Sequence, residues 1–162
     1  MEEDRHKRRK LTKDAALEQM RSFCAYQERC HKEVRTRLLE YQVYGDELEQ
    51  VIAELISENF LNEERFAKSY ARGKFRMKKW GKMKITQELK FRYISPYCIK
   101  KGMAEIDNEE YFDTLVELLT KKNNILRESD KYKRRKKLTD HATRKGYEYA
   151  VIKMALEDVL LE

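Results

Sequence analysis

A single proline and five glycines among 162 residues leave little turn material for an all-β fold. No run approaches the roughly 18 apolar residues of a membrane span, and the first ten residues hold no apolar core that could serve as a signal peptide. A cytoplasmic location without membrane contact is therefore expected. Cysteine is scarce as well. Cys24, Cys30 and Cys98 make an odd count without zinc-finger spacing, and in a reducing compartment they read as small buried side chains. Catalytic signatures are missing: the chain has no phosphate-binding loop, nucleophile elbow, dinucleotide fingerprint or paired-histidine zinc helix. His31 and His141 have no nucleophile or acid partner near them in sequence, and Glu63 and Glu64 stand at a helix start, where they complement the dipole. No catalytic residue, metal or cofactor is expected.

What the chain does have is charge and a repeated apolar pattern. Charged residues are 40% and hydrophobic residues 41% of the total, a balance that points to helices. Val34, Leu38, Val43, Leu48, Ile52 and Leu55 are spaced 4, 5, 5, 4 and 3 residues apart. The same spacing returns at Ile85, Leu89, Ile94, Ile99, Met103 and Ile106, and again at Leu138, Ala142, Tyr147, Ile152, Leu156 and Val159. The copies start 51 and then 53 residues apart, the mark of stacked supersecondary units. Steps of 4 and 3 fit one helix face, whereas the two 5-residue steps break the phase and place a turn there. In the second copy Ser95 is a good N-cap, followed by Pro96 at the first helical position. In the first copy Asp46 and Glu49 have the spacing of a capping box, and in the third Gly146 is suited to end a helix.

A further amphipathic segment precedes each helix pair, so the unit is three helices. Helices are expected at 13–26, 28–41, 46–58, 63–79, 82–92, 95–106, 108–121, 131–144 and 148–161. The fold class is all-α, with three tandem three-helix repeats, 13–60, 61–107 and 108–162, forming a short curved array. Residues 1–12 are charged and nearly free of apolar side chains, which predicts a disordered tail. No long heptad seam demands a dimer, and a monomer is expected.

The net charge of +7 is not spread evenly. Residues 61–107 hold 13 basic and 5 acidic side chains, whereas the segments before and after are nearly balanced. Arg72, Lys74, Arg76, Lys78, Lys79, Lys82 and Lys84 run without an intervening acid around Phe75, Trp80 and Gly81. A second cluster, containing Lys133, Arg134, Arg135 and Lys137, opens the second helix of the last repeat. Equivalent places in stacked repeats line one side of an array, so the two clusters are expected to form one positive track for phosphates or an acidic protein groove. Trp80 beside it either stacks on a base or packs at a helix junction.

The stretch from Leu61 to Ser95 carries an acidic pair before Arg65, Phe66 and Ala67, then a basic helix, a turn at Gly81, and Ile85, Leu89 and Ile94. That order and spacing resemble the most diagnostic segment of the RecX regulatory proteins, and Arg144 to Tyr147, with Gly146 in its turn, looks like the family's final repeat. Lys79 and Tyr93 depart from the family in standing where glycines are usual. The resemblance implies a helical repeat protein that binds the RecA filament on DNA, restrains its strand exchange, ATP turnover and co-protease activity, and in some members contacts DNA directly. From the residues alone, a stand-alone basic nucleic-acid-binding protein and a structural helical adaptor remain alternatives.

Overall fold

The computed structural model describes residues 9–161. Among them are nine α-helices and no strand: α1 (Lys13–Tyr26), α2 (His31–Glu40), α3 (Gly45–Ser57), α4 (Glu63–Lys78), α5 (Lys82–Phe91), α6 (Pro96–Met103), α7 (Asn108–Ile125), α8 (Lys131–Lys145) and α9 (Tyr149–Leu160). No helix among the described residues is long and apolar enough to cross a membrane. The chain divides into two compact units, one reaching to Phe66 and including Arg92–Ile94, the other made of Ala67–Phe91 and the residues from Ser95 onward.

The 5-residue steps of the apolar pattern have a physical cause. Gln42, Tyr93 and Gly146 hold the same place in the three copies, and all three lie in the left-handed region, with φ of 60°, 59° and 97°. A left-handed residue after a helix lets the next N–H reach back to close the last turn. The N–H of Val43 donates to the carbonyl of Leu38 at 3.0 Å, and that of Tyr147 to Ala142 at 3.2 Å. The first 5-residue step is this closure. The second spans the start of the following helix, because Val43, Ile94 and Tyr147 each precede an N-cap residue (Tyr44, Ser95, Glu148) and Leu48, Ile99 and Ile152 lie four residues beyond it. These are the positions of a hydrophobic staple, which fixes the entry angle of the chain.

In the first unit α3 packs on both α1 and α2. The core is built from Ala16, Met20 and Cys24 of α1, Val34 and Leu38 of α2, and Leu48, Val51, Ile52 and Leu55 of α3, closed by Val43 and Leu61. Burial pushes the Cys24 thiol up to about 11, and all three cysteines are buried and free. Two sequence expectations change here. Residues 1–8 of the expected tail lie outside the described residues, but Leu11 packs on the core, its N–H donates to the Tyr41 carbonyl at 3.1 Å, and Thr12 caps α1. Leu11 and Thr12, at the end of the charged run, are thus part of the packed first unit. The capping box at Asp46 and Glu49 does not form either. α3 starts at Gly45, so Asp46 already lies inside the first turn, and Glu49 instead pairs with Arg35 at 2.5 and 3.0 Å.

In the second unit Ala67, Ala71 and Phe75 form the buried face of α4. Gly102 of α6 lies so close to it that a Cβ there would sit 2.8 Å from the Ala67 carbonyl oxygen. Ser95 caps α6 as expected, accepting from the Cys98 N–H, with Pro96 at the first helical position. α7, α8 and α9 pack mutually. The backbone of Gly81, before α5, lies directly on Gly146, after α8. A Cβ on Gly81 would stand 2.3 Å from the Gly146 carbonyl, and one on Gly146 would stand 2.2 Å from the Lys84 Cβ. The Gly81 N–H donates to Lys145 O at 2.7 Å and the Met83 N–H to Gly146 O at 2.9 Å. Below this joint the rings of Phe75, Tyr111 and Tyr147 stack in series, with centroids 5.8 and 4.9 Å apart.

The loop from α7 to α8 is held by one side chain. Arg134 donates to the carbonyls of Asn123 at 3.1 Å, Leu126 at 2.9 Å and Glu128 at 2.6 and 3.0 Å, and to Asn123 Oδ1 at 2.7 Å. The final carbonyls of a helix lack intrahelical partners, and Arg134 supplies them. That explains why α7 continues to Ile125 rather than ending near the expected residue 121.

The surroundings of Gly81, Gly73 and Arg134 give three predictions. Gly81→Ala is expected to cost at least about 2 kcal/mol, because the added Cβ meets backbone that cannot move aside, and to lower the thermal midpoint. Gly73→Ala, inside α4 with only the flexible Met77 tip at 3.5 Å, is expected to gain about 0.5–1 kcal/mol. Arg134→Ala is expected to cost about 1–3 kcal/mol and open residues 126–130 to limited proteolysis. Arg134→Lys is not expected to rescue it, since a single ammonium cannot span three carbonyls.

Candidate partner-binding surface

The basic segment begins on α4. Arg72 is half-buried and pairs with Glu105 at 3.4 Å, whereas Arg76, Lys78 and Lys79 project into solvent. Lys79 ends the helix with φ of 59°, a conformation that side-chain-bearing residues adopt rarely. It is held there because its carbonyl accepts the Tyr147 hydroxyl at 2.8 Å.

Trp80 lies half-buried with two ammonium groups against its ring, Lys84 Nζ at 4.5 Å and Lys74 Nζ at 5.0 Å from the centroid. Lys74 also approaches Tyr70 at 5.5 Å. Such contacts are worth about 0.5–1 kcal/mol at exposed sites. The half-buried ring therefore packs at the helix junction with two lysines against it. Lys82 donates to Asn108 Oδ1 at 3.0 Å and lies 4.8 Å from the Tyr111 ring. Its backbone N–H donates to the Tyr111 hydroxyl at 2.9 Å, which in turn donates to Glu148 at 2.5 Å. Burial, reinforced by Glu148, raises the Tyr111 phenol well above its ordinary value, so it stays protonated and keeps both bonds.

Lys82, Lys84 and Lys90 on α5 face Thr143 and Arg144 at the end of α8 across an open groove of about 640 Å³. The first basic cluster thus meets the C-terminal end of α8. The second cluster occupies the opposite end of that helix: Lys133 is twelve residues before Lys145, about 18 Å at 1.5 Å per residue. Of its members, Lys133 is exposed, Arg135 is half-buried, Lys137 pairs with Glu128 at 2.7 Å, and Arg134 is the loop clamp already described. The Lys137 ammonium, followed by the Asp130 N–H, holds the Glu128 carboxyl below its usual range.

Around the joint the structure adds cations that charge runs did not single out. Arg144 and Lys145 end α8, and Lys121 and Lys122 lie near the end of α7. For Arg144 and Lys145 the signal in sequence was a basic pair directly before Gly146, a residue marked by the repeat as a turn; Lys121 and Lys122 had none. Among the described residues no cluster of histidine, cysteine or acidic side chains is arranged to hold a metal ion.

The other motif residues serve the scaffold. Arg65 donates to Glu28 at 2.6 Å and to the carbonyls of Asn59 at 2.9 Å and Phe60 at 3.2 Å, which fastens the turn before α4. Asn62 caps that helix through the Arg65 N–H at 2.9 Å. Phe66 and Ala67 are buried. His31 is half-buried in the first unit, and burial lowers its basicity.

Comparison with known proteins places these features in a family. Residues 62–103 match the second three-helix domain of RecX, and residues 109–156 match the third. The regulatory protein RecX of Clostridium perfringens is 37% identical over 120 residues, covering 73% of this chain and 56% of that protein. That of Clostridium acetobutylicum is 32% identical over 145 residues, covering 87% and 67%. With 53% of the Lactococcus lactis protein also covered, the chain spans about half the length of several of the curated relatives it matches. The crystal structure of RecX from Lactobacillus salivarius shares the fold, with a TM-score of 0.83 at 20% identity over 93% of this chain and 97% of that one. On the matched domains, the identity and the shared tandem three-helix fold, this chain belongs to the RecX family of regulatory proteins.

Proposed function

We propose that this chain binds the RecA filament on DNA and regulates it, mainly by restraining strand exchange, ATP turnover and co-protease activity, in repair, recombination and SOS control. The reading is carried by one coincidence: the segment matching the second RecX domain, residues 62–103, is the part of the chain that holds the basic excess. Arg76 and Lys78 project from α4 beside a joint that fixes the following turn. A repeated scaffold touching several protomers of a polymer gains avidity from contacts that are individually weak. It regulates without chemistry by binding one filament state better than another, since only differential affinity shifts such an equilibrium. The proposed form is a cytoplasmic monomer that needs no cofactor.

A second reading, direct binding of single-stranded DNA, is favoured by the groove that gathers Lys82, Lys84, Lys90 and Arg144, with Lys84 against the Trp80 ring. Phosphates suit such a groove, and binding of that kind weakens steeply as salt rises.

Titrating the protein into RecA ATPase and strand-exchange reactions tests the first reading. Inhibition is expected, and Arg76→Glu with Lys78→Glu should raise the amount needed for half-inhibition about fivefold or more with helical content unchanged. No effect of the unaltered protein at saturation rejects it. Comparing RecA-coated DNA, free RecA and bare single-stranded DNA at two salt concentrations separates the readings, because tight binding to bare DNA without preference for coated DNA supports the second.

A further inference from the structure

A separate cleft of about 430 Å³ lies between α7 and α8, with Lys79 at its edge. Its lining combines two chemistries. Lys79, Lys121, Lys122 and Lys145 surround it with Glu117 as the single acid, and Leu118 and Ile125 give it an apolar wall. Lys121 pairs with Glu117 at 2.9 Å, but Lys122 and Lys145 have no ion-pair partner among the described residues. Ile125 is 72% exposed, a large apolar side chain left in solvent by the extra turn of α7 that Arg134 stabilises. The Lys79 backbone is fixed by its left-handed conformation and by the Tyr147 hydroxyl, which sets the point from which its exposed side chain extends.

We propose that this cleft is a docking site for an acidic peptide segment of a protein partner, with carboxylates on Lys79, Lys122 and Lys145 and one aliphatic side chain against Leu118 and Ile125. Charge complementarity selects the acidic segment. The apolar wall favours a peptide over a nucleic acid, because Leu118 and Ile125 accept an aliphatic side chain and the described lining has no Phe, Tyr or Trp ring for a base to stack on. His141 lies in the same cleft, and its basicity is lowered first by burial and then by Lys122, Lys145 and Arg144. The imidazole therefore reports on occupancy: carboxylates seated among those cations restore its basicity. The site stands apart from the filament reading, since its test contains no recombinase.

The probe is a fluorescein-labelled peptide of glutamates around one central leucine, followed by anisotropy on the full chain. A peptide with serine at the centre and an oligothymidylate of equal charge serve as comparisons. The leucine peptide is expected to bind about threefold or more tightly than the serine peptide, and to raise the His141 pKa in an NMR titration. Lys122→Glu with Lys145→Glu should weaken it about tenfold or more, and Ile125→Ser should bring it to the level of the serine peptide. Ile125 is exposed and Lys122 and Lys145 are half-buried, and circular dichroism confirms that the variants fold. Equal binding of the two peptides, binding unchanged by charge reversal, or displacement by oligothymidylate more readily than by unlabelled peptide overturns the proposal.

Discussion

The backbone contact between Gly81 and Gly146 is the constraint on which the second unit depends. The first N–H groups of a helix and the last carbonyls of another are both left without partners by helical geometry. Here they satisfy each other: donors at Gly81 and Met83, where α5 begins, meet acceptors at Lys145 and Gly146, where α8 ends. The positive end of one helix dipole faces the negative end of another, which adds an attractive electrostatic term. The Lys82 N–H between them goes to the Tyr111 hydroxyl. None of this fits if either glycine carries a Cβ. The contact also explains an asymmetry among the repeats. Gln42 and Tyr93 adopt the same left-handed turn as Gly146 with ordinary side chains, so the turn tolerates a Cβ and the close approach at the third copy does not.

Basic residues in this chain fall into those already engaged and those left over. Arg134 is committed to a loop, Lys137 to Glu128, Arg72 to Glu105 and Lys82 to Asn108. Lys74 and Lys84 lie against the Trp80 ring. Arg76, Lys78 and Lys133 remain in solvent. Engagement does not cancel the field of an excess charge, and the second repeat still presents a positive surface that attracts anionic partners. It does decide which side chains reach outward, and a count of lysines and arginines in a run carries no such information.

Helix positions were legible because the apolar period marks a buried face, and that face is a property of neighbours in sequence. The bounds agree within three residues except at the end of α7, where a partner from α8 prolongs the helix. The Ser95 cap and the Gly146 stop were legible for the same reason, being local. The Asp46 and Glu49 box failed because Gly45 entered the helix and Arg35, fourteen residues earlier, offered Glu49 a better partner. Leu11 was misread with its charged neighbours, although it packs on the core of the first unit and its N–H donates to the Tyr41 carbonyl.

By itself, then, the amino-acid order determined the helical class, the repeated unit and the place of the charge, because periodicity, caps and composition act over a few residues. Its 5-residue steps already encoded a helix closure followed by a staple. Only the tertiary structure decided which cations meet. It set the cluster around Trp80 against Arg144 and Lys145 rather than against Lys133, since α8 separates its own ends by about 18 Å and a backbone contact at Gly146 selects the nearer one.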